Sequence, residues 1–281
     1  MPRYTTKRIT EQGNTVYEYS DAELERREKE KAQRVQKLSE SIDQLREQVS
    51  KDLDSDDATT RLSALIVAVL DETAGRIGNP KSAEDDEHYG ISTLKKEHIT
   101  FRNDNAYLKY TGKSGVEQSK KVEDSSVIKA LKDLAEDKES DESLFECEDG
   151  DDTVCVRAED VNKYLEDYDI TAKDIRGYHA NELMRQKLEE IHEELPDDDD
   201  EKEEQLKKEF DKALKEVAEQ IGHEPDTLKN NYLVVGFEDE FKETGKIIEK
   251  FDKKARQAEE NNRKKMASRI AIMKAQEVYG T

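Results

Sequence analysis

The most apolar part of this chain is the stretch RLSALIVAVLDETAGRIGNP at residues 61–80, and any fold must be built around it. Its spacing predicts a buried helix ended by Gly75, Gly78 and Pro80. The nearly apolar run inside it, residues 62–70, is far shorter than the ~20 residues that a membrane span needs. Elsewhere apolar side chains are scarce. They make up 33% of the chain against a usual ~45–50%, and charged residues make up 41% against ~25%. A thin core in one or two modest domains is what such a sequence can support.

Around that helix the pattern reads as follows. Residues 4–19 alternate weakly about a Gly13-Asn14 turn signal, as one small hairpin would. Residues 21–53 read as a long helix, with Val35, Leu38, Ile42, Leu45 and Val49 on one stripe. Short β-type runs at 97–101, 106–111 and 116–122 are separated by Asn103-Asp104-Asn105 and by Gly112 to Gly115, which predicts a three-stranded sheet. Helical periodicity returns at 126–134 and 158–168, with a short VCV piece between. The run T-A-K-D at Thr171 has capping-box spacing and opens a helix reaching about Ile191. A further helix carries Leu206, Phe210, Leu214, Val217 and Ile221 on one face and stops at Gly222. The expected class is α+β, mostly α with a small antiparallel β-sheet. The expected organisation is a short segment 1–20, a catalytic unit 21–240 and a basic helical tail 241–281.

Charge and cysteine usage exclude several classes. With 47 basic and 69 acidic residues the net charge is −22, so this is not a generally basic, polyanion-coating protein. Residues 189–209 hold twelve acidic and three basic side chains, a local charge of −9, and read as an acidic insert that cannot touch a polyanion. The start, MPRYTTKRIT, lacks the apolar stretch of a secretory signal, which predicts a cytoplasmic location. Cys147 and Cys155 lack both the number for a disulfide framework and the paired spacing of a zinc site.

Individual motifs are ambiguous. TGKSG at 111–115 has the ending of a phosphate-binding loop, but Tyr107 stands where that motif needs its first glycine. Lys113 falls instead on a hairpin turn, where a cationic arm is either solvated or free to swing toward an anion. Arg76, in A-G-R-I-G-N, either caps the preceding helix or points into a cleft, since glycines allow close backbone approach. Arg176, early in the helix from Thr171, reads most simply as part of a surface pair with Lys173 and Asp174. His223 follows Gly222, and Tyr232 lies nine residues on, with a short helix from Pro225 between them. A tyrosine of pKa ~10 is a poor nucleophile unless cations stand where negative charge develops. Arg, Lys, Arg, His and Tyr all occur here in that order.

Four strings carry a resemblance: DETAGRIGNP followed by HYGISTLKKEHI, then YTGKSGVEQ, then VNKYLEDYDITAKDIRGYHAN, then IGHEPDTLKNNY. Over roughly residues 20–240 the chain resembles the catalytic domain of type IB DNA topoisomerases, the poxvirus, bacterial and eukaryotic nicking-closing enzymes. The resemblance implies that Tyr232 is the nucleophile, that Arg76, Arg176 and His223 contact the scissile phosphate, and that Lys113 protonates the leaving 5′ oxygen. It further implies a double-stranded DNA partner and supercoil relaxation through a 3′-phosphotyrosyl intermediate. No metal, nucleotide or other cofactor is expected, and one active site suffices, so a monomer in the cytoplasm, near the nucleoid, is expected.

The family's amino-terminal clamp is expected to be missing or reduced to the hairpin, because only about 20 residues precede the first helix. The acidic insert is expected to project away from DNA. Lys95, Lys96, Lys109, Lys113, Lys120 and Lys121, with the tail, are expected to form one positive face on an acidic body. The acidity itself suggests a salt-rich cytoplasm, where duplex binding must survive screening. Two rivals remain: a tyrosine recombinase, which usually has a histidine where Lys173 stands, and a non-catalytic acidic interaction protein.

Overall fold

The computed structural model describes residues 5–9, 15–149, 152–190 and 199–245. Strands β1 (Thr6–Ile9) and β2 (Thr15–Glu18) pair antiparallel, and the Gly13-Asn14 turn signal lies outside the described residues. Helix α1 (Asp21–Asp52) starts at Ser20, whose hydroxyl accepts the Glu23 amide. Its five stripe residues, Val35 through Val49, are all buried. Each contributes about 1.5–3 kcal/mol relative to an exposed position.

Helix α2 (Ala58–Thr73) is capped by Asp57 and runs through the middle of the molecule, against α1 and elements that follow. Its residues are buried on all sides from Leu62 to Leu70, which is why this segment alone could be apolar without interruption. It ends earlier than the glycines and proline suggest, because Ala74 already takes a left-handed conformation (φ 49°). Pro80 then opens helix α3 (Pro80–Asp86) behind an Asn79 cap, a position where its missing N–H costs nothing.

Strands β3 (Ile99–Arg102), β4 (Asn105–Thr111) and β5 (Glu117–Val122) form an antiparallel meander in the order expected. Along β5 the pleat turns Gln118, Lys120 and Val122 inward and Glu117, Ser119 and Lys121 outward. Helix α4 (Ser125–Ala135) follows, capped by Asp124. Strands β6 (Glu146–Asp149) and β7 (Asp152–Cys155) make a second small antiparallel pair that the VCV piece only hinted at. Cys147 stands opposite Val154 rather than Cys155, and both thiols are free.

The remaining chain is helical: α5 (Ala158–Tyr164), α6 (Ala172–Glu190), α7 (Asp199–Ile221), α8 (Pro225–Asn231) and α9 (Phe237–Thr244). The fold class is α+β, mostly helical with small antiparallel sheets. Half of the Thr171 capping box forms, the Asp174 carboxylate accepting the Thr171 amide at 2.9 Å and the Thr171 hydroxyl at 2.8 Å. The acidic stretch 189–209 is not one loop between helices, since residues 199–209 are the first turns of α7 and Leu206 among them is buried. Residues 191–198 and the tail 246–281 lie outside the described residues. No described helix is long and apolar enough to cross a membrane.

Two apolar clusters result. One gathers α1, α2, the meander and α5; the other gathers α7, α8, α9 and the far half of α6, with the Phe210 and Phe241 rings 6.2 Å apart. Helix α6 spans both, Ile175 and Tyr178 lying in the first and Ala180, Met184 and Leu188 in the second.

Candidate active site

The seam between the two clusters is where the polar groups collect. Arg76 is brought there by the connection from α2 to α3, which is pinned rather than loose. Its carbonyl accepts the Ile91 amide at 2.8 Å, and the Ile77 carbonyl accepts the Ser92 amide at 2.7 Å. The two passing segments touch so closely that a β-carbon on Gly90 would overlap the Gly78 backbone, and of the glycines flanking this arginine Gly75 packs against the Ile91 side chain while Gly78 takes φ 107°.

Arg176, on α6, is 2% exposed. Its NH1 donates to the Ala74 carbonyl at 2.7 Å, its NH2 to the Ile221 carbonyl at 2.8 Å, and its Nε to His223 Nε2 at 2.8 Å. The surface-pair reading of this residue is therefore wrong. Asp174 instead binds Thr171 and Arg34, and the helix end that Arg76 might have capped is held by Arg176. A guanidinium normally rejects burial, and here two carbonyls at helix ends supply the acceptors that make it possible.

His223 is presented by the end of α7. Gly222 takes φ 74°, and a β-carbon there would overlap the Gln118 side-chain amide, so the turn is restricted to glycine on two counts. The imidazole then has an arginine on each side, Arg76 NH2 lying 3.0 Å from Nδ1 opposite the Arg176 contact at Nε2. Burial first, then Arg176, Arg76, Lys120 and Lys113, push this histidine down to about 3. Every charged group bearing on it is a cation.

Tyr232 ends α8 and is buried, its ring 4.7 Å from that of His223 and 5.7 Å from the Arg176 guanidinium carbon. The Lys173 ammonium is likewise 5.7 Å from the ring. Sequence reasoning missed the residue that holds this turn. The buried Asn181 side chain donates to the Tyr232 carbonyl at 2.9 Å and accepts the Val234 amide at 3.0 Å. It sits inside the quoted string ending H-A-N, five residues after Arg176, but a helical asparagine gives no sign in sequence of what lies across from it.

Lys113 is exposed on the 3-10 turn Lys113–Gly115 that joins β4 to β5, close enough to add to the field at His223. All five residues singled out from the sequence thus face one region. Lys120 was expected on an outer positive face and is not there. It points inward, 7% exposed, and donates to the Gln220 carbonyl at 2.9 Å. Of its companions, Lys96 binds the Ala135 carbonyl and Lys121 pairs with Glu123, so the six lysines do not form one free face. Strand alternation, invisible in a count of lysines, decides this.

His179 is engaged elsewhere. His179 Nε2 lies 2.8 Å from an Asp71 oxygen, and Arg46 donates to the same carboxylate at 2.7 Å, which ties α1, α2 and α6 together. Burial favours a neutral Asp71, but His179 and then Arg46 outweigh it and hold the carboxyl well below the usual range. Among the described residues no three His, Cys, Asp or Glu side chains group as metal ligands do.

Comparison with known proteins bears on this constellation. The family described as eukaryotic DNA topoisomerase I, catalytic core, matches residues 21–262. The DNA topoisomerase 1B of Acanthamoeba polyphaga mimivirus is 27% identical over 232 residues, which cover 79% of this chain and 67% of that protein. DNA topoisomerase 1 of Homo sapiens is 27% identical over 172 residues, covering 58% of this chain and 21% of the human protein. The Mycosarcoma maydis protein of the same description is 28% identical over 185 residues, covering 59% and 18%. The chain thus spans about a fifth of the length of these two eukaryotic relatives. Among solved structures, XerH site-specific recombinase bound to palindromic difH substrate, a post-cleavage complex, overlaps 84% of this chain and 58% of that one at 15% identity, with a TM-score of 0.42.

Proposed function

Because the chain belongs to the family of the eukaryotic DNA topoisomerase I catalytic core, we propose that it relaxes supercoiled duplex DNA by passing one strand break through Tyr232. The Tyr232 phenol passes its proton to water as its oxygen attacks a backbone phosphorus, the bond from phosphorus to the 5′ oxygen breaks, and the strand end is held as a 3′-phosphotyrosyl ester. Lys113 supplies the proton that leaves with the 5′ oxygen. The free 5′ hydroxyl swivels and attacks back, so the bond energy is conserved and no nucleotide is consumed. One protomer suffices for this cycle.

The observation that carries the reading is the imidazole between two arginines. A neutral imidazole has one N–H and one lone pair. Arginine donors face both ring nitrogens of His223, so only one of the two contacts can be a true hydrogen bond, and the other sets N–H against N–H. Protonation would turn both contacts repulsive, which adds to burial in keeping the ring neutral. Such a cluster lacks an anionic acceptor. A phosphodiester seated beside His223 supplies oxygens for Arg76 and for the ring, and the acceptor strengthens as charge builds on those oxygens in the transition state. Tyr232, whose ring stacks beside the same imidazole, then lies next to the phosphorus it attacks.

Negatively supercoiled plasmid in EDTA without ATP should relax in the presence of the wild-type protein. Tyr232→Phe should abolish relaxation and the covalent adduct while leaving DNA binding intact. Lys113→Ala should slow cleavage, and a leaving group of low pKa should restore it. Joint molecules formed between two duplexes without relaxation would refute the proposal in favour of strand exchange.

A further inference from the structure

The mechanism above leaves a buried cation beside the site unused. Lys120 lies at the inward face of β5, in the strand that continues from the turn bearing Lys113, and its ammonium holds the Gln220 carbonyl. The next carbonyl, that of Ile221, is held by Arg176. Two consecutive carbonyls at the end of α7 are therefore bound by cations from two different elements, and the chain turns immediately afterwards at Gly222 to present His223. Gln118, two residues before Lys120 on the same face, packs against Gly222. The β4–β5 hairpin thus grips the His223 turn at two points and carries Lys113 at its tip.

Burial in a region already holding Arg176 pushes Lys120 down to about 8, so the fold keeps an ammonium where it is electrostatically disfavoured. A methionine would fill the same space without that penalty. What the ammonium does there, beyond filling space, is hold the end of α7 through the Gln220 carbonyl.

Resting on the reading of the site given above, we propose that Lys120 is a positioning residue: by anchoring the Gln220 carbonyl it fixes the turn that aims His223 and couples that turn to the hairpin carrying Lys113. A helix C-terminus is a natural seat for such a cation. The residue touches neither tyrosine nor phosphate in this scheme, and it acts through His223.

A double-mutant cycle separates this role from a structural one. Lys120→Met should slow single-turnover cleavage of a suicide duplex about 10- to 100-fold, with duplex affinity within about twofold of wild type and the melting temperature lowered by no more than about 4 °C, the loss of one carbonyl's donor being partly offset by removal of a buried charge. In a His223→Ala background the same substitution should have almost no further effect. Independently of activity, the His223 ring signals of the DNA-free protein should move in Lys120→Met. Wild-type cleavage by Lys120→Met, or an equal slowing with and without His223, would overturn the proposal. Unmoved His223 signals would do the same. If Lys120→Met does not fold, Lys120→Gln, which keeps a donor on a shorter stem, takes its place in the cycle. Failure of both to fold would overturn the proposal by assigning the lysine to stability. Moved signals in a wild-type protein that forms no adduct would sink the functional reading and leave the positioning role standing.

Discussion

Replacing Arg176 with alanine should cost stability and rate together, whereas replacing Arg76 should cost rate alone. Arg176 gives two hydrogen bonds to the carbonyls of Ala74 and Ile221 and a third to His223, all from a nearly inaccessible position. Its removal leaves two buried acceptors without their donor, at about 1–3 kcal/mol each. Part of this is returned, because burial disfavours the charged guanidinium and pushes it down to about 10. A net loss of about 2–3 kcal/mol remains, and at about 2–4 °C per kcal/mol for a domain of this size the melting temperature falls by about 4–12 °C. Arg76 is half-buried and reaches only an imidazole already crowded by cations, so its loss should stay within about 0.5 kcal/mol. Loss of either arginine should slow plasmid relaxation by on the order of 10² to 10³, Arg76 as a donor to oxygens whose charge grows in the transition state and Arg176 through the His223 ring that it holds. Thermal melts followed by circular dichroism, with relaxation assayed below both midpoints, decide the matter. An equal fall in melting temperature for the two variants, or a larger one for Arg76→Ala, would refute the division of labour.

Two other expectations follow from the same geometry. Gly222→Ala forces a left-handed alanine and displaces Gln118, which should cost about 1–2 kcal/mol and slow relaxation about tenfold; wild-type melting and rate together would contradict it. His223 is held at about 3 when folded against about 6.5 when unfolded, so below the unfolded value the unfolded chain takes up the proton first. Its contribution is complete above about pH 6.5 and is lost as the pH falls toward about 3. The full shift corresponds to about 5 kcal/mol, and screening of a half-buried ring reduces this to about 2 kcal/mol. Urea midpoints at pH 7 and pH 4 should therefore differ less in His223→Gln than in wild type, and an identical difference would dismiss the assignment.

Periodicity made the long elements legible. The α1 stripe, the α7 face and the three meander strands need only spacing and turn residues, because each buries one face against a neighbour. Breakpoints were harder. The sequence offers Gly75, Gly78 and Pro80 as equivalent stops after α2, yet the chain turns at Ala74, where the Arg176 contact from another helix favours the turn. The same limit explains the misreading of Arg176 as a surface residue. Its acceptors are backbone carbonyls, and a carbonyl has no letter in a sequence. Lys120 and Asn181 were missed for that reason too, since both bind backbone of distant elements. Residue types at family spacing identified the five candidates, whereas the parts that aim them are recorded only in the folded contacts.

The contrast between a net charge of −22 and a site meant for a polyanion resolves at short range. Several carboxylates away from the site are engaged locally, Glu23 with Arg26 and Arg27, Asp174 with Arg34, Asp71 with Arg46 and His179. In water at physiological ionic strength such charges act over a Debye length of about 8 Å. A half-buried ring flanked by two guanidiniums feels its neighbours through protein instead, where interactions are screened far less. On the proposed reading, salt would weaken the repulsion between DNA and the acidic body more than it would weaken the hold of Arg76 and His223 on one phosphate. The acidity of the surface and the cationic pocket would then serve different steps of the proposed reaction: the first would limit indiscriminate adhesion along the duplex, and the second would hold the single phosphate on which Tyr232 acts.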